Sequence, residues 1–348
     1  YVDLNMRYLR ISGLLQRKGR GLMIVPTKHV LAEKLAKETV SGGTLLEKYQ
    51  SLCSGAPLPT DNLAVAKSAL DALKAQFKAR HISYDISDLP LNTAAEINIA
   101  RQRLENLLAQ TDEIEYAKVQ RSKWEEICDY MSLILKGGGT KSYDEDNQIE
   151  VPKDELPVYL EWILWRASLA INHQLAPGDA GGGAFHVILL HADFLPVSTA
   201  GGGKGDLYCE FDNFTIVTEV TMSTSSRQEA MEGEPVRRHV SDAVSKYSKP
   251  VYGLFIAVKI DTNTAETFRH GIWYTKEDKK QRLIILPLTL KQYQKYFDAM
   301  FRSNNVSPES LKELILNCES KRDTLEAPDW KQYIDTLISQ KANELTQL

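Results

Sequence analysis

The stretch Gly205-Asp-Leu-Tyr-Cys-Glu-Phe-Asp-Asn-Phe-Thr-Ile-Val-Thr-Glu-Val-Thr221 decides the fold of this chain. Two alternating strand patterns flank Asp212-Asn213, whose residue types tolerate the positive φ of a two-residue hairpin turn. If the phenylalanines on either side of the turn face each other, the numbers of facing residues sum to 425, and Asp206 lies opposite Glu219. The sequence therefore predicts two carboxylates on one face of a hairpin, with Cβ atoms about 5 Å apart.

Carboxylates this close repel each other unless a proton or a cation lies between them. Mg²⁺ prefers oxygen ligands and is usually held by one or two carboxylates, while phosphate and water fill its other positions. Asp206 and Glu219 therefore predict metal-assisted phosphodiester hydrolysis, in which the metal stabilises charge on the phosphate and lowers the pKa of the attacking water. The alternative is a pair of solvated acids at a strand edge.

The surrounding pattern indicates an α/β domain. Residues 155–173 are predicted to form a helix, residues 225–247 are mostly helical, and the apolar run 250–258 is typical of a central buried strand. A further strand is predicted at residues 283–287, and three amphipathic helices after Thr289.

The N-terminal region is basic, with eight Lys or Arg residues against three acids in residues 1–40. A glycine-rich basic turn, a short strand and a helix at residues 29–40 favour the wing and last helix of a winged-helix unit that contacts DNA. The candidate contacts are Arg17, Lys18 and Arg20. A solvated basic loop is the alternative.

Residues 43–135 are mainly helical in pattern and carry no chemistry of their own, and a turn-rich stretch marks a boundary near residue 145. We therefore expect a remnant of the recognition region at 1–42, a helical spacer at 43–145 and a cleavage domain at 146–348. Because the chain begins at Tyr1 rather than Met, we also expect an upstream region.

The composition is that of a globular protein: 348 residues, 43% hydrophobic and 25% charged. No apolar run approaches the roughly 20 residues that span a bilayer, which favours an intracellular protein without a membrane partner, and the family resemblance described below implies the cytoplasm of a prokaryote. Four cysteines without a CxxC pair indicate neither zinc nor disulfides. The net charge of −4 opposes DNA binding on its face, but it averages a basic N-terminal edge and an acidic centre.

The segment after the hairpin carries both acids and cations. Glu232 and His239 are seven residues apart, which places them on nearly the same face of a helix if Gly233 and Pro235 do not break it. Phosphate-binding candidates are Arg227, Arg237 and Arg238, together with Lys204 in the glycine-rich approach to Asp206. A charged surface helix is the alternative reading.

In combination these motifs resemble the AlwI family of type IIS restriction endonucleases, which includes enzymes related to the nicking endonucleases, PleI and MlyI. The resemblance rests on His191-Ala-Asp-Phe-Leu-Pro196, Ala200-Gly-Gly-Gly-Lys-Gly-Asp206, Thr218-Glu-Val-Thr221, Gln228 and Glu232-Gly-Glu-Pro-Val-Arg-Arg-His239. It covers residues 155–290 closely and Asp3-Leu-Asn-Met-Arg-Tyr-Leu-Arg-Ile-Ser-Gly13 more weakly.

The resemblance implies a PD-(D/E)xK nuclease core, a mixed sheet flanked by helices, and Mg²⁺-dependent cleavage of double-stranded DNA at an offset from an asymmetric site. By position, Asp206 matches the metal-binding Asp and Glu219 the following acid, while Glu161 matches an acid from the preceding helix. Glu232 and His239 match further active-site residues.

Two positions depart from the general nuclease signature. Gly205 stands where Pro is usual before the Asp, and Thr221 stands where the catalytic Lys would lie. We hypothesise that Gln228 or Glu232 takes part of the role of that Lys.

Other functions remain open at the level of sequence: a DNA-binding subunit of a restriction system whose nuclease site has decayed, or a PD-(D/E)xK nuclease of repair or transposition. One such centre cuts one strand, so double-strand cleavage requires a second subunit, a transient homodimer or sequential nicking.

Overall fold

The computed structural model describes residues 14–18, 21–25, 28–37, 43–54, 59–145, 147–173, 189–190, 194–198 and 205–347. The chain divides into two units: residues 1–113 with 191–194, and residues 114–190 with 195–348. None of the helices in the described ranges has the length and apolar character needed to cross a membrane.

The described part of the first unit contains two paired antiparallel strands and several helices. Its elements are β1 (Leu15–Lys18), β2 (Gly21–Ile24), α1 (His29–Lys37), α2 (Leu45–Cys53), α3 (Leu63–Ala79) and most of α4 (Ala94–Gln120). Asn62 caps α3, because its side chain accepts from the backbone N–H groups of Ala64 and Val65. The short strand and the helix predicted after the basic turn are present as β2 and α1, and part of the turn lies outside the described residues. The winged-helix and spacer assignments stay predictions.

The second unit holds the remaining elements. Along the chain these are α5 (Trp124–Leu135), β3 (Gly139–Ser142), β4 (Gln148–Val151), α6 (Leu156–Ile171), β5 (Leu189–Leu190), β6 (Pro196–Ser198), β7 (Leu207–Glu210), β8 (Thr215–Thr221), α7 (Gln228–Lys246), β9 (Val251–Ala257), α8 (Thr262–His270), β10 (Ile272–Tyr274), β11 (Lys280–Arg282), β12 (Ile285–Thr289), α9 (Leu290–Arg302), α10 (Pro308–Glu319) and α11 (Ala327–Thr346).

The core of this unit is a mixed four-stranded sheet in the order β12-β9-β8-β7. The β7–β8 pair is antiparallel, and β8–β9 and β9–β12 are parallel. Successive strand residues point to opposite faces. Val217 and Phe255 pack with Val240 of α7 on one face, and Ile216 lines a small cavity with Leu164 of α6 on the other. The predicted α/β class, with a mixed sheet between helices, is confirmed.

Arg166 anchors α6 against the preceding helices. Its guanidinium is buried, lies 4.9 Å from the ring centroid of Trp162, and pairs with Glu126 at 2.8 Å. Its Nε donates to the Gln120 side chain at 2.7 Å. A buried cation that is both paired and stacked holds its helix in one position. This fixes the helix on which Glu161 lies.

Candidate active site

Asp206 and Glu219 lie at the open end of the β7–β8 ladder. The register pairs Leu207 with Thr218 and Glu210 with Thr215, so the numbers of facing residues sum to 425, as the sequence predicts. Continued by one residue beyond β7, this register places Asp206 opposite Glu219. The Asp206 carboxylate accepts from the Val220 backbone N–H at 2.8 Å, and the Asp206 backbone N–H donates to the Glu219 carboxylate. The two acids thus replace ladder hydrogen bonds where the strand ends.

Gly205 leaves the space that the Glu219 carboxylate occupies. A Cβ atom built on Gly205 would lie 2.6 Å from Glu219 Oε1 and 3.1 Å from Tyr208 Oη. The Gly205 N–H also donates to Tyr208 Oη at 3.0 Å, a bond that Pro could not make. The departure from Pro at this position therefore has a structural reason, namely the close approach of backbone and carboxylate.

His239 contacts the pair from α7. Its Nδ1 lies 2.7 Å from Glu219 Oε1, and both side chains are buried. The helix runs from Gln228 to Lys246 without a break at Gly233 or Pro235, so His239 stays on the face that covers the sheet. Within the described residues, His239 Nε2 is buried and has no hydrogen-bond partner. The second ring nitrogen is therefore the one available to a ligand.

Burial and neighbouring charge perturb all three groups. Burial, the Glu219 charge and then Glu232 raise the pKa of Asp206 to about 7. Burial, followed by the charges of Glu232 and Glu161, raises the pKa of Glu219 well above its usual value. Burial and the nearby Arg238 lower the pKa of His239 and favour its neutral form. The ionised forms of Asp206 and Glu219 are therefore unfavourable in the metal-free protein, and a bound cation would stabilise them.

Glu161 and Glu232 reach the same centre from different helices. Glu161 is buried on α6 and Glu232 is half-buried on α7, and the charge of each acts on Glu219. The fold thus brings Glu161 of α6, Glu219 of β8 and Glu232 of α7 to the start of β7, where Asp206 lies. Glu210 shares the sheet face of Asp206 but accepts from Tyr247 Oη at 2.6 Å, at the far end of the strand pair.

The sequence model of one family, described as AlwI restriction endonuclease, matches residues 1–296. The chain belongs to the AlwI restriction endonuclease family. A comparison with curated proteins found no match. Among solved structures, the chain is similar to the small subunit of the heterodimeric restriction endonuclease R.BspD6I, with 22% sequence identity, a TM-score of 0.42, and coverage of 61% of this chain and 98% of that chain.

Membership of the AlwI family makes this chain a type II site-specific deoxyribonuclease, whose substrate is DNA. Restriction endonucleases generally use divalent metal ions. In the described part of the chain, no group of three or more His, Cys, Asp and Glu side chains is arranged to hold a metal. Mg²⁺ requires fewer protein ligands, since phosphate and water complete its shell, and the repelling pair Asp206 and Glu219 fits that need.

The structure corrects the hypothesis for Gln228 in this AlwI-family enzyme. Its Nε2 donates to the carbonyls of Ser223 and Lys259, each at 2.8 Å, and its Oε1 accepts from the Asp261 N–H at 2.9 Å. The side chain is fully buried. An amide that is committed to three backbone groups cannot orient water or stabilise charge in place of the Lys, so Gln228 connects the start of α7 to the end of β9.

We expect Gln228→Leu to destabilise the folded protein by about 3 kcal/mol, because it leaves three buried backbone groups without partners. Urea unfolding followed by circular dichroism measures this loss. Gln332→Leu, at an exposed position on α11, is the matched control and should change stability little. An unchanged unfolding midpoint for Gln228→Leu would contradict the structural role.

Five of the seven predicted DNA-contacting cations lie within the described residues. Arg227 is exposed at the start of α7, and Arg238 is half-buried and pairs with Glu234 at 3.1 Å. Arg237 donates to the Gly233 carbonyl at 2.8 Å, and its guanidinium lies 5.7 Å from the Trp273 ring centroid. Arg17 and Lys18 lie on β1. Arg20 and Lys204 lie outside the described residues, as do His191 and Asp193.

The raised pKa of Asp206 makes a prediction about stability. The folded protein binds a proton on Asp206 up to about pH 7, while an unfolded Asp releases it near pH 4, so metal-free stability falls as pH rises between these values. We expect Asp206→Asn, in the presence of a chelator, to melt about 3 °C or more above wild type at pH 8 and by a clearly smaller margin at pH 5. Differential scanning calorimetry at the two pH values measures this.

The control for that experiment is Asp242→Asn, which neutralises an exposed carboxylate on α7. It should leave the melting temperature within experimental error of wild type at both pH values. A melting temperature of Asp206→Asn at or below that of wild type at pH 8 would show that the ionised Asp206 costs the fold nothing.

Proposed function

We propose that this AlwI-family enzyme hydrolyses DNA phosphodiester bonds with Mg²⁺ at the centre of Asp206 and Glu219. The observation that carries the proposal is the pairing of the half-buried Asp206 with the buried Glu219, since burial together with the Glu219 charge raises the pKa of Asp206 to about 7. At neutral pH such a pair has a strong tendency to bind either protons or a cation. Asp206 and Glu219 are the residues that would hold the metal, and the charge of Glu161 on α6 adds to the negative potential at the pair.

Mg²⁺, when bound, would stabilise negative charge on the phosphate and lower the pKa of the attacking water. With a cation at the centre, Glu219 would be ionised and would orient the His239 ring by accepting from Nδ1, 2.7 Å away. That contact leaves Nε2 as the basic nitrogen, and the lowered pKa of His239 keeps the ring neutral and ready to accept a proton there. Glu232, whose charge acts on both acids, adds to the affinity of the centre for cations.

Positive charge near the centre comes from Arg238 rather than from a Lys two residues after Glu219. The position of that Lys is Thr221, and the Arg238 charge lowers the pKa of both Glu219 and His239. An arginine beside the carboxylates suits a phosphate that brings negative charge to the site. Arg238 is therefore our candidate for stabilising the phosphate.

Cleavage at an offset from an asymmetric site is the further part of the proposal. It assigns sequence recognition to residues 1–42, a spacer to residues 43–145, and strand cleavage to residues 146–348. One centre per chain cuts one strand. Cleavage of both strands requires a second copy, a second subunit or two successive nicking events.

The test is incubation of supercoiled plasmid and of a long viral DNA with the protein and Mg²⁺, beside samples with chelator. We expect nicked or linear product at fixed positions with Mg²⁺ and none with chelator. Ligase should reseal the nicks, since attack of water on phosphorus leaves a 5′-phosphate and a 3′-hydroxyl. DNA binding without cleavage would overturn the proposal and favour a decayed subunit, and cleavage at random positions would favour a repair or transposition nuclease.

A further inference from the structure

A short hairpin next to α7 has no part in the centre described above. It consists of β10 and β11, joined by residues 275–279, and its register pairs Tyr274 with Lys280. Arg237 of α7 holds it by donating to the Ile272 carbonyl at 3.3 Å, and Ser241 of α7 donates to the Gln281 side chain at 2.7 Å. The hairpin is thus fixed to the helix that carries Glu232 and His239.

The two faces of the hairpin differ. Trp273 and Gln281 face each other across the strands and are half-buried, and both contact α7 residues. The opposite face carries four exposed side chains: Ile272, Tyr274, Lys280 and Arg282. Because strand residues alternate between faces, the contacts with α7 force these four side chains outward.

The outward face and the connecting turn are rich in cations. Lys276, Lys279 and Lys280 are exposed, and in the described residues none of them forms an ion pair. Arg282 pairs with Asp323, and the turn also holds Glu277 and Asp278. Three unpaired lysines beside an exposed tyrosine are suited to a polyanion with flat apolar rings, since lysine binds phosphate and tyrosine packs on sugar or base.

We propose that the outward face of this hairpin binds the phosphate backbone of duplex DNA next to the strand that is cut. The inference rests on the proposed function of the neighbouring centre. Backbone contacts of this kind set the position of a protein on DNA without reading sequence. The hairpin is rigidly joined to α7 by Arg237 and Ser241, so a phosphate held on it positions the strand relative to His239 on the same helix.

The test is a triple variant, Lys276→Ala with Lys279→Ala and Lys280→Ala, in the full chain. Its affinity for a fluorescent 30-base-pair duplex is measured by anisotropy with chelator present, over a series of salt concentrations. We expect affinity to fall on the order of tenfold or more, and the slope of log affinity against log salt to become less steep by about 3. Tyr274→Ala should weaken binding and leave the slope unchanged, because it removes no charge.

The matched control removes three other exposed lysines of the same unit, Lys118, Lys123 and Lys153. The control variant should keep the wild-type slope of log affinity against log salt, whereas the hairpin variant should have a less steep slope. Equal slopes for the two triple variants would overturn the inference and leave the hairpin to a protein partner or to solvent. The plasmid test distinguishes the two proposals. If the wild-type protein cleaves plasmid but the hairpin variant keeps the wild-type salt slope, only DNA binding by the hairpin is rejected. If the wild-type protein does not cleave plasmid, the proposed nuclease function is rejected.

Discussion

Asp206→Asn should reduce the rate of DNA cleavage on the order of 10³-fold or more. The substitution removes one charge from the pair that would hold the metal, yet Asn keeps a carbonyl that can accept from the Val220 N–H. The backbone at the start of β7 should therefore stay in place. Single-turnover cleavage of supercoiled plasmid with Mg²⁺ in excess measures the rate, and anisotropy with labelled duplex measures binding.

Binding separates loss of chemistry from loss of substrate. DNA affinity of Asp206→Asn should equal or exceed that of wild type, because one negative charge beside the phosphate is gone. Asp212→Asn, at the exposed turn of the same hairpin, is the matched control and should cleave at the wild-type rate. Cleavage by Asp206→Asn within about threefold of wild type would remove Asp206 from the centre.

Much of the centre could be predicted because its decisive contacts are local. The turn at Asp212-Asn213 fixes the register of β7 and β8, and the register places Asp206 opposite Glu219. The positions of Glu232 and His239 follow from the helical repeat of α7 in the same way. These predictions depend on residues less than 20 positions apart, where backbone geometry alone sets the spacing.

Contacts between distant segments could not be predicted. Gln228 has the residue type of a polar active-site group, but the backbone at Lys259 and Asp261, which binds its amide, is more than 30 residues away. The β10–β11 hairpin was likewise without a sequence signal, and its connection to Arg237 spans 35 residues. Side-chain roles of this kind depend on which surfaces the fold brings together.

The compact units of the chain do not coincide with the predicted functional boundary. The turn-rich stretch near residue 145 looks like a boundary, and the compact units divide instead after Glu113. The reason is that α5 packs on α6 and α9, so residues 124–135 join the second unit. Whether residues 43–145 act together as a spacer is a functional prediction that compactness does not test.

Gly205→Ala should lower cleavage about 100-fold while the protein stays folded. The new methyl group would lie 2.6 Å from Glu219 Oε1, so the carboxylate must move. Glu219 is a long side chain that can swing away at little cost in stability, but the movement breaks its contacts with His239 Nδ1 and the Asp206 N–H. Displacement of a catalytic group by about 1 Å is enough for a loss of this size.

Gly233→Ala on α7 is the matched control, because its methyl group would also meet a glutamate, Glu229 Oε1, at 2.9 Å. That carboxylate accepts from Thr267 Oγ1 and lies outside the centre, so cleavage should stay within about threefold of wild type. The melting temperatures of both variants in the absence of metal should stay close to that of wild type. Gly205→Ala should also lose affinity for Mg²⁺, which a titration with Mg²⁺ measures through the cleavage rate and the melting temperature. If Gly205→Ala cleaves as fast as Gly233→Ala, catalysis does not depend on the position of the Glu219 carboxylate against Gly205.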